Sequence, residues 1–129
     1  MVHYNIIHIE DNIRNWAQPV QDSLSRLKLT YLNADSLTCL EAALEDNSAD
    51  IFVVDGRFPE NYGGIIEFLA PKAIEKIRDR YSDAKIVLYS ADDDIGAKAK
   101  QYGVDFFSKR QVFANELSMK LKEMINPVL

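Results

Sequence analysis

The sequence predicts an α/β protein in which a parallel sheet carries helices on both faces. Five short apolar runs rich in β-branched residues recur along the chain. Segments whose apolar residues follow helical spacing separate these runs. Parallel strands need long crossover connections, which are nearly always right-handed, so this alternation predicts a doubly wound, five-stranded sheet. Ligands of such sheets bind beyond the carboxyl ends of the strands, and function is expected there.

Each predicted element has its own sequence signal. The predicted strands are 4–9, 29–32, 51–54, 86–89 and 104–107, and the predicted helices are 13–27, 37–44, 71–81, a short one at 95–102, and 113–124. Pro19 should kink the first helix or delay its start, because an interior proline costs about 3 kcal/mol. Pro71 suits a first helical turn, which leaves 63–70 as a separate short element. The helix that contains Gly96 has few apolar anchors and is expected to be mobile.

Composition limits the domain organisation and the classes of partner. The 129 residues, 47% of them hydrophobic and 27% charged, suit one domain over 1–129 with a single core. The net charge of -5 argues against nucleic-acid binding, which needs clustered basic residues. Cys39 is the only cysteine, so a reducing compartment is expected. No long apolar run or targeting segment occurs, which predicts a cytoplasmic protein without membrane insertion.

Three carboxylates are predicted to meet at one edge of the sheet. Glu10 and Asp11 follow the first predicted strand, and Asp55 follows the third. Like charges that lie so close need a cation, and carboxylate oxygens suit Mg²⁺. The competing interpretation is that Glu10 and Asp11 only begin a helix, where acidic residues favour the positive end of the helix dipole.

A hydroxyl and an ammonium group are predicted at the same edge. Ser90 ends the fourth predicted strand and Lys109 follows the fifth. Taken singly, such residues are usually caps or solvated charges, but together they can hold the oxygens of a phosphoryl group. A carboxylate between a metal and a cationic donor can act as a nucleophile toward phosphorus. Asp55 is therefore the candidate for an aspartyl-phosphate.

Five segments of the chain resemble the receiver domain of two-component response regulators. They are 6–12 with its acidic pair, 50–55 with its final aspartate, Phe58-Pro59 followed by Gly63, 86–91 with its serine, and 103–109 with its lysine. The resemblance extends over essentially the whole chain. It implies a flavodoxin-like sheet of order 2-1-3-4-5 and a stand-alone receiver that takes part in a phosphorelay.

The resemblance also implies a role for each site residue. Asp55 would be the phosphoacceptor, and Ser90 and Lys109 would hold the phosphoryl oxygens. Mg²⁺ would be bound by Glu10, Asp11, Asp55 and the backbone carbonyl of Arg57. Phe106 would be the aromatic residue that turns inward on activation. The partners would be a histidine kinase or phosphotransfer protein and a downstream protein, and the protein would be no enzyme beyond its own phosphorylation and dephosphorylation.

Some features depart from the family pattern. Arg110 follows Lys109 where the family usually has a proline, often after a cis bond. A cis bond before a non-proline residue costs about 2.5 to 4 kcal/mol, so a trans loop or a strained one is expected. The stretch from Gly63 to the fourth strand is longer than usual and that from Ser90 to Lys109 is shorter. Partner recognition is therefore expected to differ from that of common members.

Two charged residues stand at the same distance from the candidate site residues. Asp92 lies two residues after Ser90, and Arg57 lies two residues after Asp55. Asp92 to Asp94 can be explained as the cap of a helix. The alternative is that Asp92 pairs with Arg57 and slows the water that hydrolyses the acyl phosphate. His3 and His8 lack a second ligand at suitable spacing and are expected to be structural.

Two other functions remain open. One is a pseudo-receiver, an interaction module with the fold but without phosphoryl chemistry. The other is a phosphohydrolase that uses Asp55 as nucleophile, similar to haloacid dehalogenase-like phosphatases. Those enzymes place an aspartate two residues after the nucleophile, and here that residue is Arg57.

Overall fold

A five-stranded parallel sheet forms the centre of the structure, a computed structural model that describes residues 1–127. In chain order the elements are β1 (Val2–Ile9), α1 (Gln18–Arg26), β2 (Tyr31–Ala34), α2 (Leu37–Asp46), β3 (Asn47–Val54), β4 (Arg57–Pro59), β5 (Ile66–Phe68), α3 (Ala70–Arg80), β6 (Lys85–Ser90), α4 (Asp93–Ala97), α5 (Ala99–Tyr102), β7 (Asp105–Ser108) and α6 (Ala114–Ile125). The large sheet has the order β2-β1-β3-β6-β7, and β4 and β5 form a separate hairpin. With the hairpin left out, this order is 2-1-3-4-5, which confirms the predicted fold class.

The core lies on both faces of the sheet. One apolar cluster packs beneath α2, α3 and α4 and includes Phe52, Phe58 and Leu88. The other lies beneath α1 and α6 and includes Ile6, Val53 and Tyr89. Because each of the central strands β1, β3 and β6 contributes to both clusters, its apolar residues are nearly continuous, as expected for a buried parallel strand.

The second strand begins two residues later than predicted. Lys28 has a left-handed φ of 61°, and the Leu29 amide donates to the Leu24 carbonyl oxygen at 2.9 Å. The chain is therefore still leaving α1 at Leu29, whose side chain packs against the cluster beneath that helix. Pairing with β1 begins only where Tyr31 meets Ile6. An apolar residue that closes a turn was misinterpreted as part of a strand.

The third strand begins four residues before its predicted start. Three of the four residues 47–50 are polar, yet this segment pairs with the start of β1. Their side chains bond across the pair: the imidazole of His3 lies 2.8 Å from Ser48 Oγ and 2.9 Å from Asp50 Oδ1. Asn5 Nδ2 donates to the other Asp50 carboxylate oxygen at 2.8 Å. Hydrogen bonds rather than apolar burial hold this end of the sheet together, so hydrophobic patterning did not reveal it.

Pro19 marks a late start of the first helix, one of the two predicted outcomes. Residues 13–17 form a single π-helical turn, and α1 then begins at Gln18 with Pro19 in its first turn. Asn12 caps the π-helical turn, since its side-chain oxygen accepts from the Asn15 amide at 3.2 Å. Proline is tolerated in a first turn because its missing N–H would have no helical partner there.

The hairpin of β4 and β5 was not predicted as strands. Arg57 pairs with Phe68 and Pro59 with Ile66, and the turn between them contains Gly63 at a φ of 75°. Three residues per strand are too few for a periodicity to show. As predicted, Pro71 lies in the first turn of α3, which begins one residue earlier than expected, and the stretch 63–70 contains a separate short element, β5.

A close contact joins α4 to the last strand. The ring of Phe106 on β7 fills the space beside Gly96, where an added Cβ would lie 2.4 Å from the ring carbon Cε2. Both α4 and α5 are short, and the chain between them passes through Lys98. Gly96 is thus required by the proximity of Phe106.

Replacing Gly96 with alanine should lower the free energy of unfolding by about 1 to 3 kcal/mol, because the new methyl group overlaps the Phe106 ring. This loss should exceed the gain in helix propensity, about 1 kcal/mol. Urea unfolding of Gly96→Ala in the wild type and in a Phe106→Leu background measures the effect. Overlap with the ring predicts a smaller loss in the second background. A loss of equal size in both would show that the ring is not responsible.

Among residues 1–127, no helix has both the length and the apolar character needed to cross a membrane.

Candidate functional site

The predicted site residues meet at the carboxyl edge of the sheet. Glu10 follows β1, Asp55 follows β3, Ser90 ends β6 and Lys109 follows β7. A cleft of about 550 Å³ opens over this edge. Its lining includes Asp55, Ser90 and Lys109, together with Trp16, Arg57, Asp92, Asp93, Asp94 and Arg110. The topology thus brings together residues that are far apart in the sequence.

Three carboxylates form an acidic cluster at the floor of the site. Glu10, Asp11 and Asp55 each offer an oxygen within 4.8 Å of the others. Glu10 is fully buried, Asp55 is 8% exposed and Asp11 is half-buried. These oxygens are hard ligands and could hold a metal ion.

Lys109 lies between two of these carboxylates. Its Nζ is 2.5 Å from Glu10 Oε1 and 3.5 Å from Asp55 Oδ1, and the lysine side chain is 5% exposed. The same Asp55 oxygen accepts from the Gly56 amide at 2.7 Å. One ammonium group therefore balances part of the negative charge of the cluster.

Burial makes the charged forms of these carboxyl groups unfavourable. It raises the pKa of Glu10 to about 8, and the negative charge of Asp55 acts in the same direction. Burial also raises the pKa of Asp55, while Lys109 and the hydrogen bonds that Asp55 accepts oppose the shift. Two buried carboxylates and one half-buried carboxylate beside a single ammonium leave excess negative charge, and a bound cation would relieve it.

Ser90 and Lys109 are held by backbone contacts at adjacent strand ends. The Lys109 amide donates to the Ser90 carbonyl oxygen at 2.9 Å, and Ser90 Oγ accepts from the Asp92 amide at 3.2 Å. Within residues 1–127 every peptide bond is trans, including the one between Lys109 and Arg110. The trans loop is one of the two predicted outcomes.

Asp92 makes both of the interactions considered for it. Its Oδ1 accepts from the amides of Asp94 and Ile95 at the start of α4, at 2.9 and 3.4 Å. Its Oδ2 lies 3.5 Å from Arg57 Nη2 across the mouth of the cleft. Asp92 is therefore a helix cap and the partner of Arg57 at the same time.

Two aromatic residues beside Lys109 were not predicted to belong to the site. The Lys109 Nζ lies 4.6 Å from the ring centroid of Trp16 and 5.7 Å from that of Tyr89. Trp16 lies in the π-helical turn that follows β1. Its position five residues after Asp11, at the start of a helix that leaves the same sheet edge, was the available signal. Tyr89 precedes Ser90 and faces the opposite side of β6, which the alternation of side chains along a strand could have shown.

The two histidines occupy structural positions. His8 is fully buried, and its Nδ1 lies 2.7 Å from the Tyr31 hydroxyl. Burial lowers the pKa of His8 to about 3, and the charge of Lys109 acts in the same direction. His3 lies at the opposite end of the strand, where it bonds to Ser48 and Asp50.

No protein-family model and no curated protein sequence matches the chain. Solved structures do match it along its length. A response regulator receiver domain protein from Clostridium thermocellum aligns with a TM-score of 0.73 and 22% identity, covering 98% of this chain and 95% of its own. The chain has the fold of response regulator receiver domains.

Two further structures support the receiver fold. The non-phosphorylated HemR receiver domain from Leptospira biflexa has a TM-score of 0.73 and 18% identity, with coverage of 100% of this chain and 98% of its own. The BeF₃-activated receiver domain of Nitrogen Regulatory Protein C has a TM-score of 0.72 and 20% identity, with coverage of 97% and 96%. The predicted resemblance to receiver domains is confirmed for the fold.

Proposed function

We propose that the protein is a phosphorelay receiver that accepts a phosphoryl group on Asp55 in a Mg²⁺-dependent reaction. The observation that carries this proposal is the position of the Asp55 carboxylate. It belongs to the cluster with Glu10 and Asp11, lies 3.5 Å from the Lys109 ammonium and lines an open cleft. A nucleophile, a set of metal ligands and a cationic donor therefore occupy one site on a receiver fold.

The donor set fits Mg²⁺. The carboxylates of Glu10, Asp11 and Asp55, with the Arg57 carbonyl oxygen, would hold the ion, and the open cleft leaves room for waters and phosphate oxygens. When bound, Mg²⁺ supplies positive charge that neutralises the phosphoryl oxygens. The raised pKa of Glu10 supports a cation at this position, because ionised Glu10 is unfavourable without one.

The chemistry requires only Asp55 as a nucleophile. A carboxylate oxygen of Asp55 attacks the phosphorus of the donor, a P–O or P–N bond to the leaving group breaks, and an acyl phosphate forms. The Ser90 hydroxyl and the Lys109 ammonium hold the phosphoryl oxygens as their charge develops. Burial of Asp55 limits its solvation and fixes its direction toward the cleft.

Phosphorylation of Asp55 would change the surface that α4 and β7 form. A phosphoryl group adds about two negative charges and three acceptor oxygens, which draw Ser90 and Lys109 toward Asp55. Phe106 packs against Gly96 of α4, so a shift of Ser90 at the neighbouring strand end changes the packing of this ring. The changed surface would bind a downstream protein. The phosphoryl donor would be a histidine kinase or phosphotransfer protein in the cytoplasm.

The test is intact mass spectrometry after incubation with acetyl phosphate and Mg²⁺. We expect a single phosphoryl adduct on the wild type, which EDTA prevents and Asp55→Asn abolishes. Asp105→Asn is the matched control, since Asp105 is an exposed aspartate at the opposite edge of the sheet. An adduct that persists in Asp55→Asn would refute the assignment of Asp55.

A pseudo-receiver is the second candidate. Two observations favour it: Arg110 follows Lys109 in a trans loop, and Lys109 lies closer to Glu10 than to Asp55. This function predicts no adduct with acetyl phosphate and no effect of Mg²⁺ on the fluorescence of Trp16, the only tryptophan. A phosphohydrolase has less support, because the residue two positions after Asp55 is Arg57 and not the aspartate that such enzymes use as acid/base.

The ion pair of Arg57 with Asp92 should lengthen the lifetime of the phosphorylated state. An exposed pair contributes about 1 kcal/mol at most, so its loss should shorten the lifetime by up to about fivefold. The variants are Arg57→Ala and Asp92→Asn, the latter chosen because asparagine also caps helices. The decay of the adduct after removal of acetyl phosphate measures the lifetime.

Each single variant and the double variant should give the same lifetime, since either change breaks the pair. Lys100→Ala, an exposed change on α5, is the control. An unchanged lifetime in the double variant would show that the pair does not restrict the hydrolytic water.

A further inference from the structure

Two aromatic rings lie close to the Lys109 ammonium. Nζ lies 4.6 Å from the centroid of Trp16 and 5.7 Å from that of Tyr89. Both distances are within the range of a cation–π interaction. The lysine side chain is 5% exposed, so little water competes with the rings. The ammonium is therefore in contact with the rings as well as with the carboxylates.

The rings are themselves fixed in place. They meet edge to face, with centroids 6.0 Å apart at 87°. The Tyr89 hydroxyl donates to the Val112 carbonyl oxygen at 2.6 Å, which ties the ring to the loop that follows Lys109. Trp16 belongs to the π-helical turn, in which its amide donates to the Asn12 carbonyl oxygen at 3.1 Å. Rare π-helical turns occur frequently at functional sites, where they direct a side chain.

Backbone hydrogen bonds fix the main chain at Lys109 but do not fix the position of its ammonium group. The Lys109 and Val112 amides bond to neighbouring carbonyl oxygens, and these bonds fix the main chain. Arg110 is exposed. The long lysine side chain has several rotatable bonds, and its ammonium is paired with the carboxylates of Glu10 and Asp55. Without a further contact, Glu10 would be the preferred partner of the ammonium, because it is already the nearer one.

We propose that Trp16, supported by Tyr89, is a positioning residue that holds the Lys109 ammonium where it can contact a phosphoryl group on Asp55. The proposal rests on the proposed function of Asp55. The face of an indole ring attracts a cation by its quadrupole and offers no competing anion. The lysine can therefore turn from the carboxylates toward phosphoryl oxygens without leaving the ring.

The first test compares phosphorylation rates with acetyl phosphate at saturating Mg²⁺. Loss of the ring in Trp16→Leu should lower the rate about tenfold, the effect of a desolvated cation–π contact. Trp16→Phe keeps an aromatic face and should recover most of the rate. Tyr62→Leu is the matched control, since Tyr62 is an exposed aromatic residue of the hairpin. The midpoint of Mg²⁺ stabilisation in thermal unfolding should be unchanged in Trp16→Leu, because Trp16 supplies no ligand.

The second test does not depend on phosphorylation. The ring current of Trp16 should shift the ε-methylene protons of Lys109 upfield in the NMR spectrum of the wild type. These resonances, identified by their loss in Lys109→Met, should move toward ordinary lysine values in Trp16→Leu and stay largely shifted in Trp16→Phe.

The outcomes separate the two proposals. A wild-type rate in Trp16→Leu, or unshifted lysine protons in the wild type, would overturn the positioning role. A rate loss with a matching loss of Mg²⁺ affinity would also overturn it, since it would indicate a general structural defect. If the wild type accepts no phosphoryl group, the proposed function fails, and the lysine resonances alone decide whether Trp16 holds the ammonium.

Discussion

Replacing Lys109 with methionine should lower the free energy of unfolding by about 3 kcal/mol at neutral pH in EDTA, because it leaves buried carboxylates without their cation. Methionine keeps most of the apolar stem, so packing is largely retained. Glu10 and Asp55 can escape part of this cost by binding protons, as the raised pKa of each group indicates. Urea unfolding in EDTA measures the loss.

The pH dependence of this loss has a defined sign. Without Lys109, the pKa values of Glu10 and Asp55 in the folded protein should rise further above their unfolded values. The folded state then binds more protons than the unfolded state, so the stability of the variant should fall as the pH rises from 6 to 9. Added Mg²⁺ should restore part of the stability, since it binds the same carboxylates.

The control for Lys109→Met is Lys72→Met, which removes an exposed lysine of α3 and should change stability by less than about 0.5 kcal/mol. Equal, small effects of the two variants would contradict the account. They would mean that the carboxylates of the acidic cluster do not need the ammonium.

His8 should make the protein less stable in weak acid. Its pKa is lowered to about 3 in the folded protein from an ordinary value of 6.5, chiefly by burial. Between these values the unfolded chain binds a proton that the folded protein does not, so acidification favours unfolding. This contribution to stability is fully present above pH 6.5. It falls by up to about 1.4 kcal/mol per pH unit below that value, or about 2 kcal/mol at pH 5.

His8→Asn should remove this dependence, because asparagine does not titrate and can still bond to the Tyr31 hydroxyl. The measurement is the difference in unfolding free energy between wild type and variant at pH 7.5 and at pH 5, both in EDTA. Taking this difference largely cancels titrations that the two proteins share. An identical pH dependence of both proteins would show that folding does not lower the pKa of His8.

The alternation of apolar runs and helical patterns was sufficient to predict the fold class. Buried parallel strands are nearly continuous apolar runs, and the five predicted runs became the five strands of the sheet. The predicted strand bounds were wrong where interactions other than the apolar burial of a strand determine them. Residues 47–50 form a strand through hydrogen bonds of His3 and Asn5, and Leu29 is apolar because it closes the turn after α1.

The positions of the candidate site residues were predictable because the fold decides them. Parallel strands bring their carboxyl ends to one edge, so Asp55, Ser90 and Lys109 were expected to meet. The contacts of Lys109 were not predictable, since they depend on rotamers and on the π-helical turn that directs Trp16. A turn of five residues carries no periodic signal, and an aromatic residue in it is indistinguishable from a core residue in sequence alone.

The most direct measurement of the central claim is to locate the phosphoryl group itself. Borohydride reduces an aspartyl-phosphate to homoserine, so protein treated with acetyl phosphate and Mg²⁺, then reduced and digested, carries a permanent mark. We predict homoserine at position 55 in the peptide that contains Asp55, and none when Mg²⁺ is replaced by EDTA. Homoserine at another aspartate, or an adduct that leaves Asp55 unmodified, would contradict the account.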